Sequence, residues 1–218
     1  KTTTTRLLGH IVKTMGYKVG FTTTDGIYIQ NRMLQSGDCT GPVSAEFVLR
    51  DPTVDFAVLE TARGGILRAG LGFHSCDMAI VTNLAADHLG LKDINTLEDM
   101  ARVKGVVPAS VRPGGYAILN ADDDHVFGMQ SDLRCKMALF SLDANNPRII
   151  KHCNEGGFAA IVENGYVTVC KGNWKIRVDK VINIPLTLSG KAVFNIYNIL
   201  PAVLAGFLQG FKIEDMRL

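Results

Sequence analysis

A glutamate closes the apolar run Val54–Glu60 (VDFAVLE). A carboxylate at the end of a buried strand is a natural Mg²⁺ ligand beside phosphates, although a merely solvated side chain would look the same. A second apolar run, Met78–Thr82 (MAIVT), leads into Asn83 and then a loop with Asp87 and His88 side by side. That pairing suits a metal or an acid–base site, and the plain alternative is a surface ion pair. Lys104 stands on the segment that follows, where the ordinary role of a lysine is to be solvated. Lys1-Thr2-Thr3 has the form of the last part of a phosphate-binding loop. In such a loop the ammonium neutralises phosphate charge, the next hydroxyl ligates Mg²⁺, and the helix it opens offers free N–H donors. An ordinary capped helix accounts for those three residues equally well. Arg63-Gly64-Gly65 follows Glu60, and paired glycines let backbone approach a ligand closely. Asn195 and Asn198 are three apart and share a helical face, as a site pair or as a polar stripe.

These residues need elements to hold them. Leu7, Leu8, Ile11, Val12 and Met15 fall on one face of a helix over residues 2–15, with Gly16 at its C-terminal cap. Tyr17–Thr24 is β-prone and ends in the turn Asp25–Gly26. Pro42–Leu49 reads as a short helix. VDFAVLE, MAIVT, Tyr116–Leu119 (YAIL) and Met137–Ser141 read as strands buried on both faces. Thr96-x-x-Asp99 has the spacing of a capping box and predicts a helix to about Val107. Asp123–Ser131 is a further helical candidate. Strands alternating with helices imply a mostly parallel sheet flanked by helices, whose ligands bind beyond the carboxyl ends of the strands. Glu60, Thr82–Asn83 and Asn120 all stand at such ends. From Phe158 to Leu188 the pattern changes to short β-prone runs (FAAIV, YVTV, WKIRV, IPLTL) broken by Asn164–Gly165 and Gly172–Asn173. That predicts a small antiparallel sheet over residues 155–188. Phe194–Leu208 returns to helical spacing, with Pro201 inside it as a place for a kink.

Bulk properties exclude some functions. A formal net charge of +2 with interspersed signs points to neither nucleic acid nor membrane surfaces as partners. No apolar stretch is long enough to span a bilayer, and the polar opening KTTTTR does not look like a signal peptide. Cys39, Cys76, Cys135, Cys153 and Cys170 are scattered, with no CxxC to suggest zinc, and fit reduced thiols buried as small apolar side chains in a cytoplasm.

In their order, KTTTT, Glu60, TNLAADHLG (82–90), Lys104, LNADDD (119–124) and FNIYN (194–198) resemble the central ATP-binding domain of Mur-type amide ligases over nearly the whole chain. GDCTGP (37–42) and ETARGGILRAGLG (60–72) are similar to the cyanophycin synthetase branch, since peptidoglycan ligases usually carry a serine-rich stretch after the glutamate. The resemblance implies one P-loop-like central domain over residues 1–218, with a strand and phosphate-loop glycines expected ahead of Lys1. It implies an ATP-dependent carbon–nitrogen ligase that adds arginine to the aspartate side chains of a polymer through an acyl phosphate. Lys1, Glu60, His88 and Lys104 would be the catalytic set. Thr2, Glu60, His88 and Lys104 would hold Mg²⁺, with Lys104 as a carbamate. Lys1, Thr2, Thr3, Asn83, Asn120, Asn195 and Asn198 would bind ATP. Phe194 stands where many relatives have histidine, so no acid–base role carries over there. Arg63 and Arg68 would face the acyl phosphate or the polymer. A cytoplasmic homo-oligomer is expected of the intact enzyme, and no activity of this segment alone. Two other readings stay open: a peptidoglycan-precursor or folyl-polyglutamate ligase, and a nucleotide-binding module without catalysis.

Overall fold

The computed structural model describes residues 1–85 and 94–216. They form two compact units, Lys1–Ser75 and Cys76–Leu218, each with its own sheet.

The first unit opens with helix α1 (Thr2–Thr14), whose buried Leu7, Ile11 and Val12 match the expected apolar face. Gly16 ends it at φ +88°, with its N–H on the Lys13 carbonyl and that of Tyr17 on Val12. Only a residue without a β-carbon enters that left-handed turn cheaply. Strand β1 (Val19–Thr23) pairs with β2 (Gly26–Ile29) through a turn at Thr24–Asp25, one residue ahead of the expected Asp25–Gly26, and β2 pairs with β3 (Arg32–Ser36). Helix α2 (Pro42–Arg50) returns the chain to β4 (Phe56–Leu59), which lies parallel to β1. Helix α3 (Arg63–Ala69) follows. The sheet order is β3-β2-β1-β4, so strand ends of β1 and β4 lie side by side.

In the second unit, β5 (Cys76–Val81), β6 (Val111–Asn120), β7 (Lys136–Ser141) and β8 (Phe158–Glu163) pair in parallel, joined by helices. Helix α4 (Leu97–Ala109) starts at the anticipated capping box: the Thr96 hydroxyl accepts from the Asp99 N–H, and the Asp99 carboxylate accepts from the Thr96 N–H. Helix α5 (Asp124–Gly128) leads to a 3-10 turn and β7, and α6 (Pro147–Asn154) to β8. The antiparallel pairing expected over 155–188 is present in β8, β9 (Tyr166–Lys171) and β10 (Trp174–Lys180), and it extends the parallel sheet, because β8 also bonds to β7. Asn164 and Gly165, at φ +50° and +77°, form the two-residue hairpin turn their sequence announces. IPLTL is not a strand. It holds the 3-10 turn Pro185–Thr187, just after a first one at Val181–Asn183, and the Thr187 hydroxyl ties the two by donating to the Val181 and Ile184 carbonyls.

Alternate residues Leu119, Leu139, Ala159 and Ile161 pack with Val126, Ile149 and Cys153 on one side of this sheet, and fully buried Ile118 and Phe140 point to the other. Helix α7 (Val193–Leu208) lies against β6, β7 and β8 and runs unbroken through Pro201. Burial of Ile199, Leu200, Val203 and Leu204 outweighs the one ladder bond that proline removes. Among the described residues no helix is long and apolar enough to cross a membrane.

Candidate functional site

Glu60 lies one residue beyond β4, its N–H still bonded to the Thr22 carbonyl of β1. Its carboxylate is almost wholly buried, with 1% of the side chain exposed. A buried charge must be compensated, and two neighbours from the start of α1 do so. The Thr2 hydroxyl donates to Glu60 Oε2 at 2.8 Å, and Lys1 Nζ lies 3.6 Å from Oε1. Thr2 Oγ1 also lies 3.1 Å from Thr24 Oγ1, just past β1. No side chain caps α1 and no acidic residue stands in its own first turn, so its leading N–H groups are not taken up by a side-chain cap, and the one carboxylate beside them is Glu60. Thr3 follows, half-buried. The cluster brings an ammonium, a hydroxyl and a carboxylate together at a helix N-terminus. Its oxygen donors fit a hard cation such as Mg²⁺, and its lysine fits a phosphate.

The same unit explains the two sequence motifs that carried the finer resemblance. Asp38 Oδ1 accepts from both the N–H and the hydroxyl of Thr40, at 3.1 and 2.6 Å. The Thr40 hydroxyl is the main cause that holds the Asp38 carboxyl below its ordinary range, and Lys1 and Arg68 contribute as nearby positive charges. The Thr40 carbonyl in turn accepts from the Ala62 N–H. A β-carbon on Gly65 would lie 2.9 Å from Gly41 Cα and 3.0 Å from the Thr40 oxygen, and one on Gly72 would lie 2.4 Å from the Pro42 oxygen. Gly65 therefore serves close approach to the chain's own backbone, not to a ligand as its sequence suggested. Arg63 opens α3 half-buried, and Arg68 is exposed in its last turn.

In the second unit the carboxyl ends of the strands are tied to one another. Asn120, buried at the end of β6, donates from Nδ2 to the Thr82 carbonyl at 2.7 Å and accepts the Asp122 N–H at 2.9 Å. Lys104 on α4 reaches the carbonyl of Asn83 at 3.4 Å, which sets its ammonium near the end of β5. Asp123 accepts from the Leu84 N–H at 2.6 Å while capping α5. Asp122 accepts from the Ser141 hydroxyl, the Leu142 N–H and the Asn146 amide. Burial raises the pKa of the Tyr197 hydroxyl, and so does its hydrogen bond to Asp122, which ties α7 to the same loop. Asn198 donates to Asn195 Oδ1 at 3.4 Å and to the Phe194 carbonyl, and Asn195 donates to the Leu186 carbonyl at 2.7 Å. The two asparagines share a face as expected, and Asn195 also holds the turn before α7. Glu60 belongs to the first unit and Lys104 to the second, and His88 lies outside the described residues.

Asp38, Thr24, Asp122 and Tyr197 were not singled out from sequence. The acidic run after the buried YAILN strand was the available signal for Asp122.

Comparison with known proteins agrees with this geometry. The family model of the Mur ligase middle domain matches residues 1–206. The chain is 54% identical over 217 residues to a cyanophycin synthetase of Geminocystis herdmanii (strain PCC 6308), covering 100% of this chain and 25% of that protein. It is 26% identical over 231 residues to a UDP-N-acetylmuramoyl-L-alanyl-D-glutamate–2,6-diaminopimelate ligase of Bacillus cereus, covering 99% of this chain and 43% of that protein. The chain thus spans about a quarter of the length of the cyanophycin synthetases it matches. In fold it resembles a solved structure of such a diaminopimelate ligase, with a TM-score of 0.75 at 21% identity over 99% of this chain and 42% of that one. It also resembles a folylpolyglutamate synthase/dihydrofolate synthase solved with Mn, AMPPNP and L-glutamate, with a TM-score of 0.61 at 17% identity over 98% of this chain and 52% of that one.

Proposed function

Because the chain belongs to the Mur ligase middle-domain family, we propose that it is the nucleotide-binding domain of an ATP-dependent amide ligase of the cyanophycin synthetase kind. The observation that carries this is the buried Glu60 carboxylate held by Thr2 and Lys1 where α1 begins. ATP supplies the phosphoryl group that turns a carboxylate into an acyl phosphate, and Mg²⁺ screens the charge that moves.

The chain's own residues position and neutralise. Lys1 would neutralise the phosphates, and Thr2 and Thr3 at the helix N-terminus would bind them. Thr2 and Glu60 hold Mg²⁺. His88 and Lys104 hold a second ion, with Lys104 as a carbamate, since an anionic oxygen suits Mg²⁺ where an ammonium repels it. Asn83 and Asn120 line the nucleotide site at the ends of β5 and β6, and Asn195 and Asn198 complete it from α7. The acceptor is the aspartate side chain of a polymer, and the amine is the α-amino group of arginine. Arg63 and Arg68 offer guanidinium groups to the anionic polymer or to the acyl phosphate.

The test is ADP release by the full-length protein with ATP, Mg²⁺, aspartate polymer and arginine. Release that requires both acceptor and amine is expected, and its loss in Glu60→Ala and in His88→Ala, with circular dichroism unchanged. ATP binding without arginine-dependent release would point to a nucleotide-binding module. Undiminished turnover in both variants would overturn the site.

A further inference from the structure

Cys153, at the end of α6, and Cys170, in β9, are 17 residues apart in sequence, and their sulfurs lie 3.6 Å apart. Main-chain geometry fixes the approach. The Gly172 N–H, two residues past Cys170, donates to the Cys153 carbonyl at 3.0 Å, and the Gly156 N–H donates to the same oxygen at 2.9 Å. Cys170 sits in register between Ala159 of β8 and Lys175 of β10, so it cannot slide along the sheet. A disulfide needs its sulfurs at about 2.0 Å, a closure within reach of side-chain rotation when the backbone already holds the pair together.

We propose that Cys153 and Cys170 are a peroxide-sensing pair that closes to a reversible disulfide within the second unit. The chemistry assigns different parts to the two sulfurs. The hydrogen bond with Cys170, then the Gly172 amide and the Lys175 charge, lower the Cys153 thiol against the effect of burial. Cys170 itself is pushed up, first by that same hydrogen bond and then by burial. Cys153 is the nucleophile. Its thiolate attacks one peroxide oxygen, the O–O bond breaks, and the departing hydroxide takes up a proton to leave water and a Cys153 sulfenic acid. Cys170 then attacks the Cys153 sulfur, expelling hydroxide, which takes the Cys170 proton to form a second water. Two thiols and one hydrogen peroxide give one disulfide and two waters.

The other cysteines supply the contrast. Cys76 and Cys135 are more exposed than the pair, and burial of their sulfurs raises both thiols. Exposure alone therefore predicts that they oxidise first, and the proposal predicts the reverse.

Full-length protein titrated with hydrogen peroxide, quenched by alkylation and mapped by peptide mass spectrometry separates the two. The expected result is a linked Cys153–Cys170 peptide, lighter by two hydrogens, that forms before Cys76 or Cys135 changes. Dithiothreitol should reverse it, and in urea the preference should vanish. Cys170→Ser should stall as a Cys153 sulfenic acid trapped by dimedone. Should that variant fail to fold, the wild-type order of oxidation still decides. Earlier oxidation of Cys76 or Cys135, or a Cys153 that proceeds to sulfinic acid with Cys170 still free, would overturn the proposal.

Discussion

Single residues in this chain take their character from the hydrogen bonds they accept, from sequence neighbours and from distant residues alike. Asp25 is a turn residue by sequence, yet it accepts from the Thr23 and Tyr28 hydroxyls and from Arg6. The Thr23 bond, then that of Tyr28, brings its carboxyl from an ordinary 3.8 to about 2. A carboxyl more acidic when folded than unfolded stabilises the fold above its unfolded pKa and loses that contribution as pH falls through its folded one. Asp25→Asn should therefore lower the urea midpoint at pH 5 and above, and the gap to wild type should close between about pH 4 and 2. The side chain is exposed, so the gap will be small. Glu60 was legible as a candidate because it closes a continuous apolar run, and its burial, which the sequence left open, is what the fold adds. Asp122 was not, because what marks it is a hydroxyl and an amide that the fold brings from Ser141 and Asn146; Asp38 was not, because its bond to Thr40 two residues on is an ordinary turn contact.

Elements were read well where period or capping chemistry is local. The α4 capping box, the Asn164–Gly165 hairpin and the Gly16 helix stop each follow from a few adjacent residues. Strand β3 was missed because all five of its residues are exposed, leaving no alternation to detect. IPLTL was misread because β-propensity competes with Pro185, which donates no hydrogen bond, and with Leu188, which takes φ +49°. Helix α6 is short, and its signal is a cap, Asn146 before Pro147, and not a long periodic face. The contact between α3 and the loop before α2 gives a test at this scale. Gly65→Ala sets a methyl against backbone, which cannot rotate away, and should cost about 1–3 kcal/mol in denaturant unfolding. Gly64→Ala, whose nearest neighbour is the flexible end of Arg68 at 3.9 Å, should cost far less.

For the molecule as a whole, the site proposed at the start of α1 would couple ligand binding to folding. A ligand that binds only the folded state stabilises it by about 2.7 kcal/mol at one hundred times its dissociation constant. Mg²⁺ with a non-hydrolysable ATP analogue should raise the melting temperature of the full-length protein, and Glu60→Gln should remove most of that rise while leaving the melting temperature without nucleotide close to wild type. A rise equal in both proteins would show that Glu60 takes no part in binding. The stretch from Glu60 to Gly72 also divides its positions by burden. Gly65 and Gly72 are committed to backbone contact with residues 40–42, whereas Leu67 and Arg68 face solvent from the same helix. Heredity can thus hold the frame constant while the outward side chains drift. A library varied at positions 67 and 68 alone would sample new surface chemistry beside an unaltered scaffold.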